Sequence, residues 1–102
     1  MQIALPTIFD VLLQNAQHDA INDLTAEGNI NAVDLYWAPV EGAISYNVYR
    51  RLSATSLAKI ANAHTTNVAS YRDVEVTNEV TYYYVVRWLN EFGMESEDSN
   101  EA

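Results

Sequence analysis

The densest group of side chains that could bind a metal ion or act in catalysis lies near the C-terminal end. It consists of four acidic residues, Glu91, Glu95, Glu97 and Asp98. Carboxylate oxygens are ligands that Ca²⁺ prefers, and a pair of carboxylates can also act as general acid and base. The spacing does not match the Asp-x-Asp-x-Asp-Gly pattern of a calcium loop, and a domain of this size has little room for a hydrolase cleft. The cluster therefore favours a solvated acidic loop, and we predict no metal site.

Histidine, cysteine and glycine give no further indication of catalysis. His18 and His64 lie far apart and lack the spacing of metal ligands, and the chain contains no cysteine. The three glycines, Gly28, Gly42 and Gly93, form neither a phosphate-binding loop nor a Gly-x-Ser-x-Gly elbow. A Ser-His-Asp set is not excluded by composition, but nothing marks its nucleophile. We therefore predict no catalytic residue, no cofactor and a protein that is not an enzyme.

The net charge of the chain limits the classes of molecule that it can bind. The net charge is −9 over 102 residues, and all five basic residues lie between positions 50 and 87. Such a surface repels phosphate backbones and anionic lipids, so we expect neither a nucleic acid nor a membrane as partner. The start of the sequence lacks the basic region of a secretory signal, and no segment approaches the roughly 20 apolar residues that span a bilayer.

From about residue 20 onward, bulky apolar side chains recur at every second position, which is the period of a half-buried strand. The rhythm is clearest in residues 33–37, 44–48 and 82–88, and weaker strands are predicted around Ile60 and from Ser70, with Tyr71 inward. Turns are predicted between these segments, the first at Gly28-Asn29. Short strands at roughly 8–12-residue spacing predict an all-β, antiparallel sandwich. The residues expected to face its core are Val33, Leu35, Trp37, Ile44, Tyr46, Val48, Tyr82, Tyr84, Val86 and Trp88.

Residues 1–19 read differently from residues 20–102 and are predicted to form an N-terminal arm on the sandwich. Ile8, Phe9, Leu12 and Leu13 fall on one stripe at helical spacing, although a strand remains an alternative. A helix this short is marginal in water, so the stripe must pack on something. It either packs on its own domain or docks on a neighbouring subunit.

Two stretches of the strand pattern together resemble a fibronectin type III domain of the bacterial and phage kind. They are "VDLYWAPVEGAISYNVYRR" (33–51) and "SYRDVEVTNEVTYYYVVRWLNEFGMES" (70–96), and the resemblance covers about residues 20 to 100. It implies an immunoglobulin-like β-sandwich in which Trp37 is the central core tryptophan. It also implies that Tyr82 is a corner tyrosine whose hydroxyl bonds back to the turn before it.

The chain departs from the family pattern in two places. The turn before Tyr82 has Val76-Thr77-Asn78 where the family often has Leu-x-Pro, and the last strand is truncated to a stub around residues 97–102. A stub would leave the strand at 82–88 partly unpaired at a sheet edge, and such an edge recruits other strands. Three outcomes are open: the stub suffices, the arm covers the edge, or a partner supplies a strand.

Three tyrosines, Tyr36, Tyr49 and Tyr83, are out of phase with the core set and are predicted to face outward. They form either ordinary sheet surface or a binding face, since tyrosine gives large contact area at low entropy cost. Tyr49 and Tyr83 on adjacent strands have arginines nearby, and arginine packs well over tyrosine. The candidate protein-interaction residues are therefore Ile8, Phe9, Leu12, Leu13, Tyr49, Tyr83 and Arg87.

These observations predict a non-catalytic structural or interaction module. The first hypothesis is a subunit of a larger assembly such as a phage virion, with the virion as its location. Its partners would be proteins, either copies of itself in a homo-oligomer or other subunits. The alternative is a spacer or accessory binding module of a secreted bacterial enzyme or surface protein.

Overall fold

The described part of the chain forms two antiparallel sheets. A computed structural model describes residues 19–53, 55–63 and 69–102. Sheet I has the strand order β1-β2-β5 and sheet II the order β4-β3-β6. The strands are β1 Thr25–Asn29, β2 Ala32–Trp37, β3 Ser45–Arg51, β4 Ala58–Ala63, β5 Ala69–Asp73 and β6 Tyr83–Leu89. The predicted all-β antiparallel sandwich is confirmed, and the predicted arm lies almost entirely outside the described residues.

The core lies between the sheets and follows the two-residue rhythm of the sequence. The inward side chains of β2, β3 and β6 form one buried cluster, which includes Leu35, Trp37, Tyr46, Val48, Tyr84, Val86 and Trp88. Burial of these large apolar side chains is the main force that holds the two sheets together. Ile44 is the exception, because its side chain is 52% exposed and not inward as predicted. The chain bends at Ile44 before β3 begins, so the alternation of the strand does not extend to it.

The first hairpin turns later than predicted. Asn29 pairs with Ala32, so the turn residues are Ile30 and Asn31 instead of Gly28 and Asn29. Asn31 has a φ of 60°, a left-handed conformation that asparagine tolerates better than most residues. The later turn leaves Gly28 and Asn29 inside β1. The Asn29 amide then donates to Asp34 Oδ2 over 2.7 Å.

The corner tyrosine is confirmed. The backbone N–H of Thr77 donates to the hydroxyl of Tyr82 over 2.9 Å, although the Leu-x-Pro of the family is missing here. The same turn is tied to the first hairpin, because Asn78 accepts from the N–H of Asn31 and donates to its side-chain oxygen. These bonds replace water as partners of the turn's polar groups.

The C-terminal segment covers the outer edge of β6 without forming a regular strand. Ser96 and Ser99 each make two bonds to one β6 residue. The Ser96 N–H donates to the Trp88 carbonyl while the Ser96 hydroxyl accepts from the Trp88 N–H. Ser99 makes the same two bonds to Val86. A hydroxyl thus stands in for a backbone carbonyl, so bonding residues recur every third position instead of every second.

The last residue completes this edge. Ala102 exchanges two backbone hydrogen bonds with Tyr84, at 2.8 and 3.0 Å. From Tyr84 to Trp88, the outward N–H and carbonyl groups of β6 therefore all have partners. Of the three predicted outcomes, the structure shows the first, in which the stub suffices. The expectation of a partly unpaired strand is wrong, because the serine hydroxyls supply acceptors that the backbone of so short a segment does not.

Candidate interaction surface

The outer face of sheet II brings three of the seven candidate residues together. Alternate residues of a strand share a face, so Tyr49 and Arg51 of β3 point the same way as Tyr83 and Arg87 of β6. In the register of this strand pair, Arg51 lies opposite Tyr83. The other four candidates, at positions 8, 9, 12 and 13, lie outside the described residues. A binding role for any of the seven stays a prediction.

Each of these tyrosine rings lies under an arginine. The guanidinium carbon of Arg51 is 4.4 Å from the centroid of the Tyr83 ring, and that of Arg87 is 4.3 Å from the Tyr49 ring. These distances are within the range of cation–π contacts, as the sequence predicted. The contact occupies one face of each ring, so that face is not open to a ligand.

The same arginines are held by carboxylates of the C-terminal segment. Arg87 pairs with Glu95 at 2.7 Å and with Asp98 at 2.6 Å, and Arg51 pairs with Glu101 at 2.7 Å. Two members of the acidic cluster, Glu95 and Asp98, are therefore ion-paired on the sheet. Glu91, Glu97 and Asp98 are exposed, as expected of a solvated loop, whereas Glu95 is half-buried. The ion pairs fasten the C-terminal segment to the face of sheet II.

Glu95 is the centre of this network. It accepts hydrogen bonds from Arg87, from the Asn47 amide and from the Tyr49 hydroxyl. Burial alone would raise the pKa of Glu95, but the hydrogen bonds from Tyr49, Asn47 and Arg87 hold it below its ordinary value. Burial and the Glu95 carboxylate raise the pKa of Tyr49. A general base needs a pKa near the working pH, and both shifts run away from neutrality.

The network continues along β3 in residues that the sequence did not single out. Asn62 of β4 donates to Asn47 over 2.8 Å and to the Ser45 hydroxyl over 3.2 Å. The two-residue alternation of β3 could have identified Ser45 and Asn47, because it places them on the same face as Tyr49. No sequence rule points to Glu95, since it lies across a loop from its partners. On this face, Asn47, Tyr49, Arg51, Arg87 and Glu95 therefore all bond to partners within the domain.

The described ranges contain no group of three or more His, Cys, Asp or Glu side chains that could hold a metal ion. Within the same ranges, no helix has the length and the apolar character needed to cross a membrane.

Curated relatives of the chain are segments of much longer enzymes. The chain is 40% identical over 82 residues to an amylopullulanase of Thermoanaerobacter thermohydrosulfuricus. It is 35% identical over 81 residues to one of Thermoanaerobacterium thermosulfurigenes. These matches cover 80% and 79% of this chain, but only 6% and 4% of the enzymes. No family model matches the sequence.

Solved structures agree with the observed sandwich. An Fn3-like protein from Clostridium thermocellum has a TM-score of 0.71 at 33% identity, over 82% of this chain and 88% of that one. A β-1,2-glucanase from Parabacteroides distasonis contains a similar fold, with a TM-score of 0.69 at 24% identity over 80% of this chain and 12% of that one. The second likeness shows the fold alone.

These relatives separate the two functional hypotheses from the sequence. The two curated relatives reported above are amylopullulanases, and neither is a phage protein. They favour the alternative, an accessory module of a bacterial enzyme, over the virion subunit. A location in a virion stays a prediction that these relatives do not support.

Proposed function

The chain belongs to the fibronectin type III family, and from this premise we propose that it is a non-catalytic accessory module of a bacterial amylopullulanase-type enzyme. In that role it spaces and supports the domains on either side of it. The observation that carries the proposal is the 40% identity to a segment of an amylopullulanase over 80% of this chain. Fold likeness alone would not select this function, because one fold serves many functions.

The path of the chain through the sandwich supports a spacing role. Asp19 lies near the end of β6, where the Trp88 indole N–H donates to its carbonyl over 2.7 Å. The chain then runs beside the C-terminal segment, where the Asn100 N–H donates to the Ile21 carbonyl over 3.2 Å. The segment after β6 finishes beside Tyr84, near the start of the same strand. Entry and exit therefore lie toward opposite ends of the sandwich. A module built in this way adds its own length between its neighbours.

The chemistry of the outer face supports a role without catalysis. Its carboxylates are paired with arginines, and the pKa values of Tyr49 and Glu95 are both shifted away from neutrality. The arginines over Tyr49 and Tyr83 also cover one face of each ring. These side chains stabilise the module itself and leave little reactive chemistry for a substrate.

A domain exchange tests the proposal. The matching segment of the T. thermohydrosulfuricus amylopullulanase is replaced by residues 20–102 of this chain, and pullulan hydrolysis and thermal inactivation are compared with the parent enzyme. We expect the chimera to keep the activity and half-life of the parent, while deletion of the segment shortens the half-life at high temperature. A chimera carrying Trp37→Ala is the matched control and should resemble the deletion.

Two results would contradict the proposal. A chimera that is inactivated as fast as the deletion variant would show that this chain does not support the neighbouring domains. Release of reducing sugar from pullulan by the isolated chain would show that it is catalytic.

A further inference from the structure

The outer face of sheet I carries a tyrosine whose ring is open. Tyr36 lies near the end of β2 and is 48% exposed. In the described part of the chain, Tyr49, Tyr82 and Tyr83 each have an arginine over the ring, but Tyr36 has none. An aromatic ring with an open face can stack on a ligand.

Polar groups surround this ring on both neighbouring strands. Thr25 of β1 and Ser70 of β5 lie directly opposite Tyr36 in the two strand pairs. Asp34 is two residues earlier on β2, on the same face and about 7 Å away. The sheet thus places two hydroxyl-bearing residues and a carboxylate beside the ring.

Asp34 is held in a planar pair with Arg72. The Arg72 Nε and Nη2 both donate to the Asp34 carboxylate over 2.9 Å, and the Asn29 amide donates to it over 2.7 Å. A guanidinium has five N–H donors, and the bonds to Asp34 use two of them. The Arg72 side chain is 59% exposed while that of Asp34 is 9% exposed. The pair therefore presents a guanidinium with three donors that Asp34 does not use, beside the open ring.

A sugar ring suits this arrangement. Its C–H groups are weakly positive and pack on the negative face of an aromatic ring, and its hydroxyls bond to planar polar side chains. The chain has a net charge of −9, which disfavours anionic polymers. A neutral, hydroxyl-rich chain meets no such repulsion.

We propose that the outer face of sheet I is a binding platform for neutral α-glucan, with Tyr36 as the stacking residue and Arg72, held by Asp34, as the hydroxyl-binding residue. The choice of α-glucan rests on the proposed function as part of an amylopullulanase-type enzyme. With a single ring and few bonds on an open face, the dissociation constant is expected on the order of 1 mM per site. On a polymer, many such sites are available at once.

Affinity electrophoresis of the full chain tests this proposal. Native gels contain amylopectin, hydroxyethylcellulose, polygalacturonate or no polymer. We expect retardation in amylopectin only, and loss of that retardation in Tyr36→Ala. Phe92→Ala is the matched control, because Phe92 is an exposed aromatic residue, 66% exposed, in the loop after β6. Tyr36→Thr keeps a residue that favours strands and replaces the alanine variant if that variant melts early.

Three results would contradict glucan binding at this face. The parent chain is not retarded by amylopectin, the Tyr36 variants are retarded as strongly as the parent, or hydroxyethylcellulose retards the parent as strongly as amylopectin does. None of them bears on the domain exchange, because a module can support its neighbours without touching glucan. A failed exchange with intact, Tyr36-dependent retardation would contradict the spacing role and leave the platform standing.

Discussion

Replacement of Trp37 by alanine is expected to lower the free energy of unfolding by about 3–5 kcal/mol. Trp37 is 6% exposed and packs edge-on against Tyr46, with ring centroids 5.2 Å apart. Its indole nitrogen has no hydrogen-bond partner among the described residues, so the loss comes from packing and from the cavity left behind. Because small domains are stable by only about 5–15 kcal/mol, the variant should be close to unfolding.

Urea unfolding followed by circular dichroism measures this effect. Ile44→Ala is the matched control, because Ile44 belongs to the same apolar rhythm in the sequence but is exposed in the structure. It should unfold at nearly the parent's midpoint. Superimposable curves for Trp37→Ala and the parent would contradict the position of Trp37 in the core.

The second large effect is expected at Asp73, a carboxylate that is only 2% exposed. Its Oδ2 accepts from Arg50 and from the Tyr84 hydroxyl, both over 2.8 Å, and its Oδ1 accepts from the N–H of Glu75. Asp73→Ala leaves the buried Tyr84 hydroxyl without this acceptor and Arg50 without this anion. Removing one partner of such a pair costs about 3 kcal/mol here, at the low end of the usual range because Arg50 is partly exposed.

The contribution of the Asp73 carboxylate to the free energy of unfolding should depend on pH. Burial alone would raise the pKa of Asp73, but the bonds from Arg50, Tyr84 and the Glu75 N–H lower it below its ordinary value. A group with a lowered folded pKa stabilises fully above its unfolded pKa of about 4, and this stability is lost as the pH falls through the folded value. The difference in stability between the parent and Asp73→Ala should therefore be largest near neutral pH and shrink in acid.

Urea unfolding at pH 7 and at pH 3 or below checks both statements. Glu101→Ala is the control, since it removes the carboxylate of the exposed pair with Arg51; exposed pairs contribute little. A stability difference for Asp73→Ala that stays constant or grows in acid would show that its ionised form is not what stabilises the fold.

Much of the fold follows from one rule applied to the sequence. Alternation placed Trp37, Tyr46, Tyr84 and Trp88 inward, because every second side chain of a strand shares a face. The rule failed at Ile44, since alternation holds only within a strand and the chain bends there before β3 begins. It also does not locate turns, so the first hairpin was placed two residues early on the signal of Gly28.

The alternation of side chains does not predict how the edge of β6 is covered. Ser96, Ser99 and Ala102 recur every third residue, which is neither the period of a strand nor that of a helix. Without coordinates, nothing indicates that a serine hydroxyl accepts from the amide opposite its own backbone N–H. The sequence therefore predicts an incomplete edge where the structure shows a satisfied one.

The candidate surface was predictable in part for the same reason. Tyr49, Tyr83 and Arg87 share a face because of alternation on adjacent strands, and arginine over tyrosine is a common pair. Glu95 joins them only through the path of the loop after β6, which no periodic pattern determines. The hydrogen-bond network around Glu95 is therefore a finding of the structure.

The β6 edge and the arginines on the outer face of sheet II find their partners within the described residues, which favours a module that folds by itself over a subunit that needs a neighbour. Light scattering of the full chain after gel filtration tests this most directly. We expect the monomer mass of 11.5 kDa at every concentration. A defined oligomer that persists on dilution would contradict it and would favour the assembly subunit.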